Sequence, residues 1–406
     1  MRVYHRCMIT PDVDVVVVGA GIQGAGAAQA AAAAGYSVVL LEQTGIASGT
    51  SSRSSKLIHG GLRYLESGQF KLVRECLRER ALLLRNAPDL VRLTPHYIPV
   101  YRDTHRRQVI LRLGLSVYAL LGGLRPELYF SAVPRRDWVT LDGLRQHGLQ
   151  TVFRYFDAQT NDAALTRAVV RSAESLGARL LMPATLLTAV ATGQSVQVRY
   201  RDASGEHDLH CAALINAAGP WVNAVLVRIE PRAQQLDIDW VAGTHIVLPH
   251  RLTQGVFYAE APRDGRAVFI MPWRDGQTLV GTTERNYQGD PAAVAPTPDD
   301  IAYLLDTVRH YFPAYARFEP NEAFAGLRVL PRADRAAFGR SRDTRLHSTH
   351  CQRVVSIYGG KLTAYRATAA RVTAMLRAAL PARERRSRTE ELRIDDEGDR
   401  DSVPSG

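Results

Sequence analysis

The segment that most constrains the fold is Gly19-Ala-Gly21-Ile-Gln-Gly24-Ala-Gly26, set between two apolar runs. Val13 to Val18 is a β-branched stretch interrupted only by Asp14, the mark of a strand buried on both faces. Ala25–Ala34 is alanine-rich and predicts a helix, which Gly35 ends. Ser37–Leu41 is a second apolar run and stops at Glu42. This is β-α-β at the length a right-handed parallel crossover requires. Gly19 makes the tight turn, Gly21 lets backbone approach a diphosphate, and Gly24 and Gly26 allow close helix–sheet packing. The helix N-terminus offers N–H groups and partial positive charge to that diphosphate. Glu42 is suited to accept from ribose hydroxyls. The plain alternative is a glycine-rich turn without a ligand, and the completeness of the unit argues against it. The unit predicts a dinucleotide and does not by itself separate NAD from FAD.

The chain has 406 residues, more than one core usually holds, so two domains are expected. Cys7, Cys76, Cys211 and Cys351 are scattered without a C-x-x-C pair, which argues against a disulfide framework, a metal site or a dithiol centre. The leader before Asp12 lacks the apolar stretch of a secretory signal, and a cytoplasmic location is expected. The net charge is +11. It suits an anionic substrate or an anionic membrane surface. Nucleic acid ranks last because no motif for it is present, and a solvated basic surface is the plain alternative. Val109–Leu124 is the most apolar long stretch and carries Arg112. It is short for a membrane span, so a buried core segment is expected, with an interfacial helix as the alternative. Gln69–Arg85, Asn161–Leu176, Pro298–Phe312 and Thr363–Leu380 read as helices. Trp240 to Thr283 reads as strands. The tail from Ala382 is charged and without apolar periodicity, and is expected to be poorly ordered.

Two later segments favour FAD. Leu214-Ile-Asn-Ala-Ala-Gly219-Pro-Trp221 is a buried strand ending in small residues, suited to the carboxyl end of the same sheet. Val354 to Thr363 is a strand, then Gly359 and Gly360, then a helix start that can face a flavin ring and stabilise negative charge there. For each, a strand with a tight exit turn competes. Ser48–Ser55 holds six hydroxyl residues around Gly49 and Arg53, either a solvated loop or a wrap for the diphosphate and ribityl chain. Gly60 and Gly61, beside His59, Arg63 and Tyr64, suggest backbone against a flat ligand, with a surface turn as the alternative.

Six blocks carry a family resemblance. They are Ser51-Ser-Arg-Ser-Ser-Lys-Leu-Ile-His-Gly-Gly-Leu-Arg-Tyr-Leu-Glu66, Gly219-Pro-Trp-Val222, Gly243-Thr-His-Ile-Val247, Gly281-Thr-Thr283, Gly326-Leu-Arg328 and Gly359-Gly-Lys-Leu-Thr-Ala-Tyr-Arg366. In this order they resemble the FAD-dependent (aerobic) glycerol-3-phosphate dehydrogenases, from about Asp12 to Thr368. The resemblance implies oxidation of sn-glycerol 3-phosphate to dihydroxyacetone phosphate by hydride transfer to flavin N5. Electrons then pass to quinone at a membrane surface. It implies an α/β fold: a Rossmann-type FAD-binding domain of the glycine-oxidase-like flavoprotein fold with an inserted antiparallel-sheet substrate domain. The expected FAD domain is 12–95, 150–230 and 335–381, the substrate domain 96–149 and 231–334, and the tail 382–406.

The same resemblance assigns residues. His245, Arg328 and Lys361 are the expected catalytic set, with Arg63, Tyr64 and Thr282 or Thr283 on the substrate. Gly19, Gly21, Gly24, Glu42, Ser51, Ser52, Ser55, Lys56, Gly219 and Gly359 to Thr363, including Gly360, Lys361 and Leu362, are expected around non-covalent FAD. A phosphate dianion calls for guanidinium and ammonium donors. His245 is a reasonable base for the alcohol proton, whereas a free arginine stays protonated. Alone, His245 would read as a structural histidine. Two positions depart from the family pattern, Val329 where Pro is usual and Gln23 where Asn is common; the helical C-terminal domain that many relatives carry is also not expected after the last cofactor helix, which leaves a homodimer open. The rivals are an oxidase of a related hydroxy acid or amine that uses oxygen, and a non-catalytic flavin-binding protein.

Overall fold

The computed structural model describes residues 11–274, 276–332 and 344–396. The first of its two sheets is built on Val13–Val18, which pairs in parallel with Val38–Leu41 on one side and Gly205–Asn216 on the other. Val354–Tyr358 adds in parallel beyond Gly205–Asn216. The valines of this strand, interrupted only by Asp14, follow from double burial. Val15 and Val17 belong to the core under the helices, and Val13, Val16 and Val18 to the core under the strands from Thr185 to Asn216.

Seven helices occur among the described residues: α1 (Ile22–Ala33), α2 (Phe70–Asn86), α3 (Gln108–Leu121), α4 (Asp162–Ser175), α5 (Val222–Leu226), α6 (Pro298–Tyr311) and α7 (Tyr365–Leu376). Helix α1 packs against α4 and α7. A Cβ on Gly24 would overlap the Gly19 carbonyl oxygen, so position 24 sets how closely α1 meets the strand end. A Cβ on Gly26 would lie 2.5 Å from Tyr365 Cδ2. Gly26 therefore serves the contact between α1 and α7, a correction to the helix–sheet role expected for it.

The second sheet runs in the order Arg285–Tyr287, Ile238–Leu248, Gln277–Gly281, Ala267–Trp273, Val256–Glu260, Val91–Tyr101, Leu149–Thr160 and Leu57–Ile58. Glu322–Pro331 pairs along the whole of Ile238–Val247. Helix α6 covers one face through Leu304, Val308 and Tyr311. It begins with a capping box: Thr297 Oγ1 accepts from the Asp300 N–H, and the Asp300 carboxylate from the Thr297 N–H, both at 3.2 Å.

The structure corrects several sequence expectations. Leu57–Ile58, Val91–Tyr101 and Leu149–Thr160 all belong to the second sheet, because Leu149–Thr160 pairs with Val91–Tyr101 along its length. The segments 57–58, 91–95 and 150–160 therefore leave the cofactor unit drawn from sequence. Residues 382–396 form an ordered strap. The Arg386 and Ser387 N–H groups both donate to the Ala33 carbonyl at the end of α1, Arg383 pairs with Asp14 at 2.9 Å, and Ile394 is 4% exposed in the core. An extended strap needs single anchors and no apolar period, so its composition concealed it. Residues 397–406 of the tail, the leader with Cys7, and 335–343 of the cofactor unit lie outside the described residues. Val109–Leu124 is not wholly buried: up to Leu121 it forms the amphipathic surface helix α3, with only one face in the core. Leu111, Leu115 and Tyr118 face inward, while Val109, Ile110, Leu113 and Leu120 are exposed.

Candidate active site

A cavity of about 650 Å³ lies between the carboxyl end of the first sheet and one face of the second. At one end Gly19 leaves its strand with φ +99°, and its N–H donates to the Leu41 carbonyl at 2.8 Å. A Cβ there would lie 2.9 Å from the Ala217 oxygen. Gly21 is the residue before α1, and a Cβ on it would lie 3.0 Å from Ser51 Oγ. That hydroxyl accepts from the Ile22 N–H at 2.8 Å. The helix N-terminus thus reaches the cavity through a groove that glycine keeps open. Glu42 is held at the rim, with Oε2 accepting from the Ala20 N–H and Oε1 from the Thr44 N–H, both at 2.8 Å. Gly219 is on the wall, with no atom where its Cβ would stand.

Next to the start of α1 the chain turns through Gly359 and Gly360 at φ +71° and +117°. A Cβ at either would lie 2.8 Å from the Val329 oxygen or 2.7 Å from Gln23 Nε2. Gln23 Nε2 donates to the Lys361 carbonyl at 3.2 Å and so ties the two glycine turns together. Its Oε1 is buried without a hydrogen-bond partner. Lys361, Leu362 and Thr363 continue along the wall, and Lys361 Nζ sits 3.5 Å over the Tyr64 ring.

FAD fits these residues. The cavity runs from an acidic rim, past a helix N-terminus, to a glycine turn, the order that a ribose, a diphosphate and a flat ring require. The orphaned Gln23 Oε1 supplies an acceptor for a ligand donor along that run.

The opposite wall is one face of the second sheet. Val241 pairs in register with Arg328, Gly243 with Gly326, and His245 with Phe324, so Arg328, both glycines and His245 point the same way. A Cβ on Gly243 would lie 2.8 Å from Arg328 Nη2, and one on Gly326 would lie 2.9 Å from the Arg53 carbonyl oxygen. The two glycines therefore let the Arg328 side chain and the hydroxyl-rich loop lie against the strands. The His245 ring overlies Gly281, where a Cβ would overlap it, and stacks on Phe324 at 5.2 Å. His245 Nε2 bonds Ser55 Oγ at 3.0 Å, and its Nδ1 is buried without a partner. Burial holds this imidazole well below its ordinary pKa, with Lys56 and Arg328 adding to the effect.

The expected residues separate into two groups. Arg63, Tyr64, Ser51, Ser55, His245, Arg328 and Lys361 all line the cavity. Ser52, Lys56 and Thr283 do not. Ser52 Oγ donates to the Gly49 carbonyl. Lys56 is buried, donates to Asp162 Oδ1 at 2.6 Å, and is a pin between the loop and the start of α4. Thr283 Oγ1 accepts from the Thr244 N–H at 3.0 Å and is turned away from the cavity. Thr282 takes its place, accepting from Arg328 Nη2 at 3.2 Å. Gly24 is also off the wall, on the face of α1 turned to the strand end.

Sequence reasoning missed Arg266 and took Glu284 only as the acidic residue that the family pattern places after the two threonines, without a role in the site. Glu284 Oε1 lies 3.5 Å from Arg63 Nη2 and 3.3 Å from Arg328 Nη1, and its carbonyl accepts from Arg266 Nη1 at 3.2 Å. Arg266 follows an ordinary Asp264-Gly265 turn, and no local signal marks it. The charged pair Glu79 and Arg80 on α2 does not face solvent. It is buried instead, Glu79 against Arg366 at 2.6 Å and Arg80 against Asp157, which also accepts from Tyr118 at 2.7 Å.

His59 and His96 share the wall with Asp157, and burial depresses both, His59 to about 4. Between pH 6.5 and 4 the unfolded chain binds protons that the folded chain refuses, so stability falls as pH falls through that window. The slope is at most about 1.4 kcal/mol per pH unit for each such histidine. Thermal unfolding of the flavin-loaded protein is expected at lower temperature at pH 5 than at pH 7, with His59→Gln reducing the difference. An unfolding temperature that holds steady or rises on acidification contradicts this.

The chain belongs to the FAD dependent oxidoreductase family, whose family model matches residues 14–374. Within it the chain belongs with the FAD-dependent glycerol-3-phosphate dehydrogenases. It is 36% identical over 366 residues to the glycerol-3-phosphate dehydrogenase of Pseudomonas aeruginosa, covering 87% of this chain and 69% of that one. It is 34% identical to the D-erythritol 1-phosphate dehydrogenase of Brucella abortus, covering 88% and 72%. The glycerol-3-phosphate dehydrogenase of Bacillus halodurans, solved with FAD, superposes with a TM-score of 0.74 at 27% identity, covering 95% of this chain and 68% of that one. The protein is an FAD-dependent oxidoreductase.

Proposed function

We propose that this protein oxidises sn-glycerol 3-phosphate to dihydroxyacetone phosphate and passes the electrons to quinone. The observation that carries the reading is the gathering of Arg63, Arg266, Arg328 and Lys361 on one cavity that also holds a neutral histidine. The two relatives at 36% and 34% identity act, by their names, on glycerol 3-phosphate and D-erythritol 1-phosphate. Both are phosphate esters of polyols, and guanidinium groups match the phosphate they share.

The chemistry that FAD supplies when bound is acceptance of a hydride. The protein's own groups bind, orient and move the proton. Arg328, with Arg63 and Arg266 near it, binds the phosphate. Lys361, over the Tyr64 ring, adds positive charge beside the reacting hydroxyl. His245 takes the hydroxyl proton at Nε2, the nitrogen that bonds Ser55 Oγ until the substrate hydroxyl replaces it, because Nδ1 is sealed in the protein. Its depressed pKa keeps it unprotonated and ready at neutral pH.

Helix α3 supports a peripheral place on the cytoplasmic face of a membrane. No helix among the described residues is long and apolar enough to cross one. The outer side of α3 exposes Val109, Ile110, Leu113 and Leu120, with exposed Arg107 and Arg112 among them. Such a face enters an anionic lipid surface without spanning it.

Two experiments follow. Arg328→Ala is expected to retain FAD and to lower kcat/KM for glycerol 3-phosphate by roughly ten- to a hundredfold, since a charge-assisted bond contributes about 1.5–3 kcal/mol. Its preference for glycerol 3-phosphate over glycerol should shrink. An equal loss on both substrates would assign Arg328 to the alkoxide instead, and an unchanged kcat/KM removes it from the site. In flotation with anionic vesicles the protein is expected to bind at low salt, and quinone in those vesicles to reoxidise the reduced protein faster than dissolved oxygen. Absence from the vesicle fraction at low salt, or faster reoxidation by oxygen, overturns the membrane and quinone reading.

A further inference from the structure

The phosphate reading leaves one group unexplained: a carboxylate in the middle of the arginines. Glu284 follows the end of strand Gln277–Gly281, and its side chain is 5% exposed. Arg63 comes from the turn Leu62–Leu65, Arg328 from Glu322–Pro331 and Arg266 from just before Ala267–Trp273. Three separate segments thus meet at one residue. Arg63 and Arg328 both approach Oε1, at 3.5 and 3.3 Å, and Arg266 donates to the main-chain oxygen.

We propose that Glu284 is the positioning residue of the phosphate subsite, a buried carboxylate that orients Arg63 and Arg328 and, through its backbone, Arg266, toward a phosphate dianion. This rests on the reading above that the arginines bind phosphate.

Two physical points support it. The first is depth. Glu284 lines the cavity together with Arg63, Arg266 and Arg328, and its side chain is 5% exposed against 19% and 25% for Arg63 and Arg328, so the guanidinium groups are the more accessible partners. Arg328 gives Nη1 to Glu284 and Nη2 to Thr282, an arrangement that fixes the plane of its fork. The second is cost. Three guanidinium groups and the Lys361 ammonium around one cavity repel one another, and long side chains lose rotamer freedom when a ligand fixes them. A carboxylate among them offsets the repulsion and fixes the side chains before substrate arrives, which is what preorganisation requires.

The opposite role is a carboxylate that occupies the phosphate position and competes with substrate. The two roles predict opposite signs in Glu284→Gln, which keeps the shape and removes the charge. The test uses the FAD-loaded protein and measures kcat, KM for glycerol 3-phosphate, and the competitive inhibition constant of inorganic phosphate. For Glu284→Gln the expected result is retained FAD, KM and the phosphate constant both raised by roughly tenfold or more, and kcat changed by less than about threefold. Glu284→Asp, which keeps the charge on a shorter arm, falls between it and the unsubstituted protein. If Glu284→Gln does not fold, Glu284→Asp decides: raised constants support the role and unchanged constants overturn it. In Glu284→Gln, unchanged constants overturn the proposal, and tighter phosphate binding overturns it in favour of the competing counter-ion. Failure of phosphate to inhibit the unsubstituted protein would sink the phosphate reading and this proposal with it. Equal inhibition of the unsubstituted protein and Glu284→Gln would sink this proposal alone.

Discussion

The site depends on how closely α1 approaches the end of Val13–Val18. Position 24 permits that approach because any side chain there would overlap the Gly19 carbonyl. The approach aims the N-terminus of α1 at the cavity, where Ser51 meets the Ile22 N–H. Gly26, two residues on from Gly24, lets α7 lie against α1 through Tyr365. Helix α7 continues from the Gly359–Gly360 turn, so its seating also sets Lys361 over Tyr64. Gln23 closes the loop with a hydrogen bond from α1 to the Lys361 carbonyl. Packing inside the first sheet's helical layer is thereby coupled to a cation at the reacting end of the cavity.

Missing side chains do similar work on the second sheet. Gly243, Gly281 and Gly326 are spaced along adjacent strands, and each makes room for one functional group: the Arg328 fork, the His245 ring and the Arg53 backbone. The electrostatics follow from the same packing. His245 stays neutral because it is buried beside cations, and a neutral imidazole among cations is what an alcohol losing a proton needs. Lys56, which looks like one more active-site cation, is consumed by Asp162 and holds the hydroxyl-rich loop to α4.

Much of this was legible in the sequence where a local rule forces one answer. The valine run, the glycine spacing and Glu42 specify a βαβ unit because no other residues satisfy double burial and a close turn together. The blocks around Arg63, His245, Arg328 and Lys361 named side chains that the structure brings to one cavity. Other features resisted because their cause is not local. Arg266 joins the site only when Ala267–Trp273 pairs with Gln277–Gly281, which carries the chain on to Glu284. Thr283 and Thr282 are equivalent by composition and differ only in which way the chain turns after Gly281. Leu149–Thr160 went to the wrong unit because its partner, Val91–Tyr101, is remote in sequence. The strap 382–396 has no period to read, since it is held by single anchors such as Ile394.

The central claim is that this cavity joins FAD to a phosphate-bearing alcohol. Anaerobic titration of the purified yellow protein, followed by flavin absorbance, tests it most directly. The account predicts that glycerol 3-phosphate bleaches the oxidised flavin band and that glycerol at the same concentration leaves it largely intact. A spectrum unmoved by glycerol 3-phosphate, or bleached equally by glycerol, would contradict it.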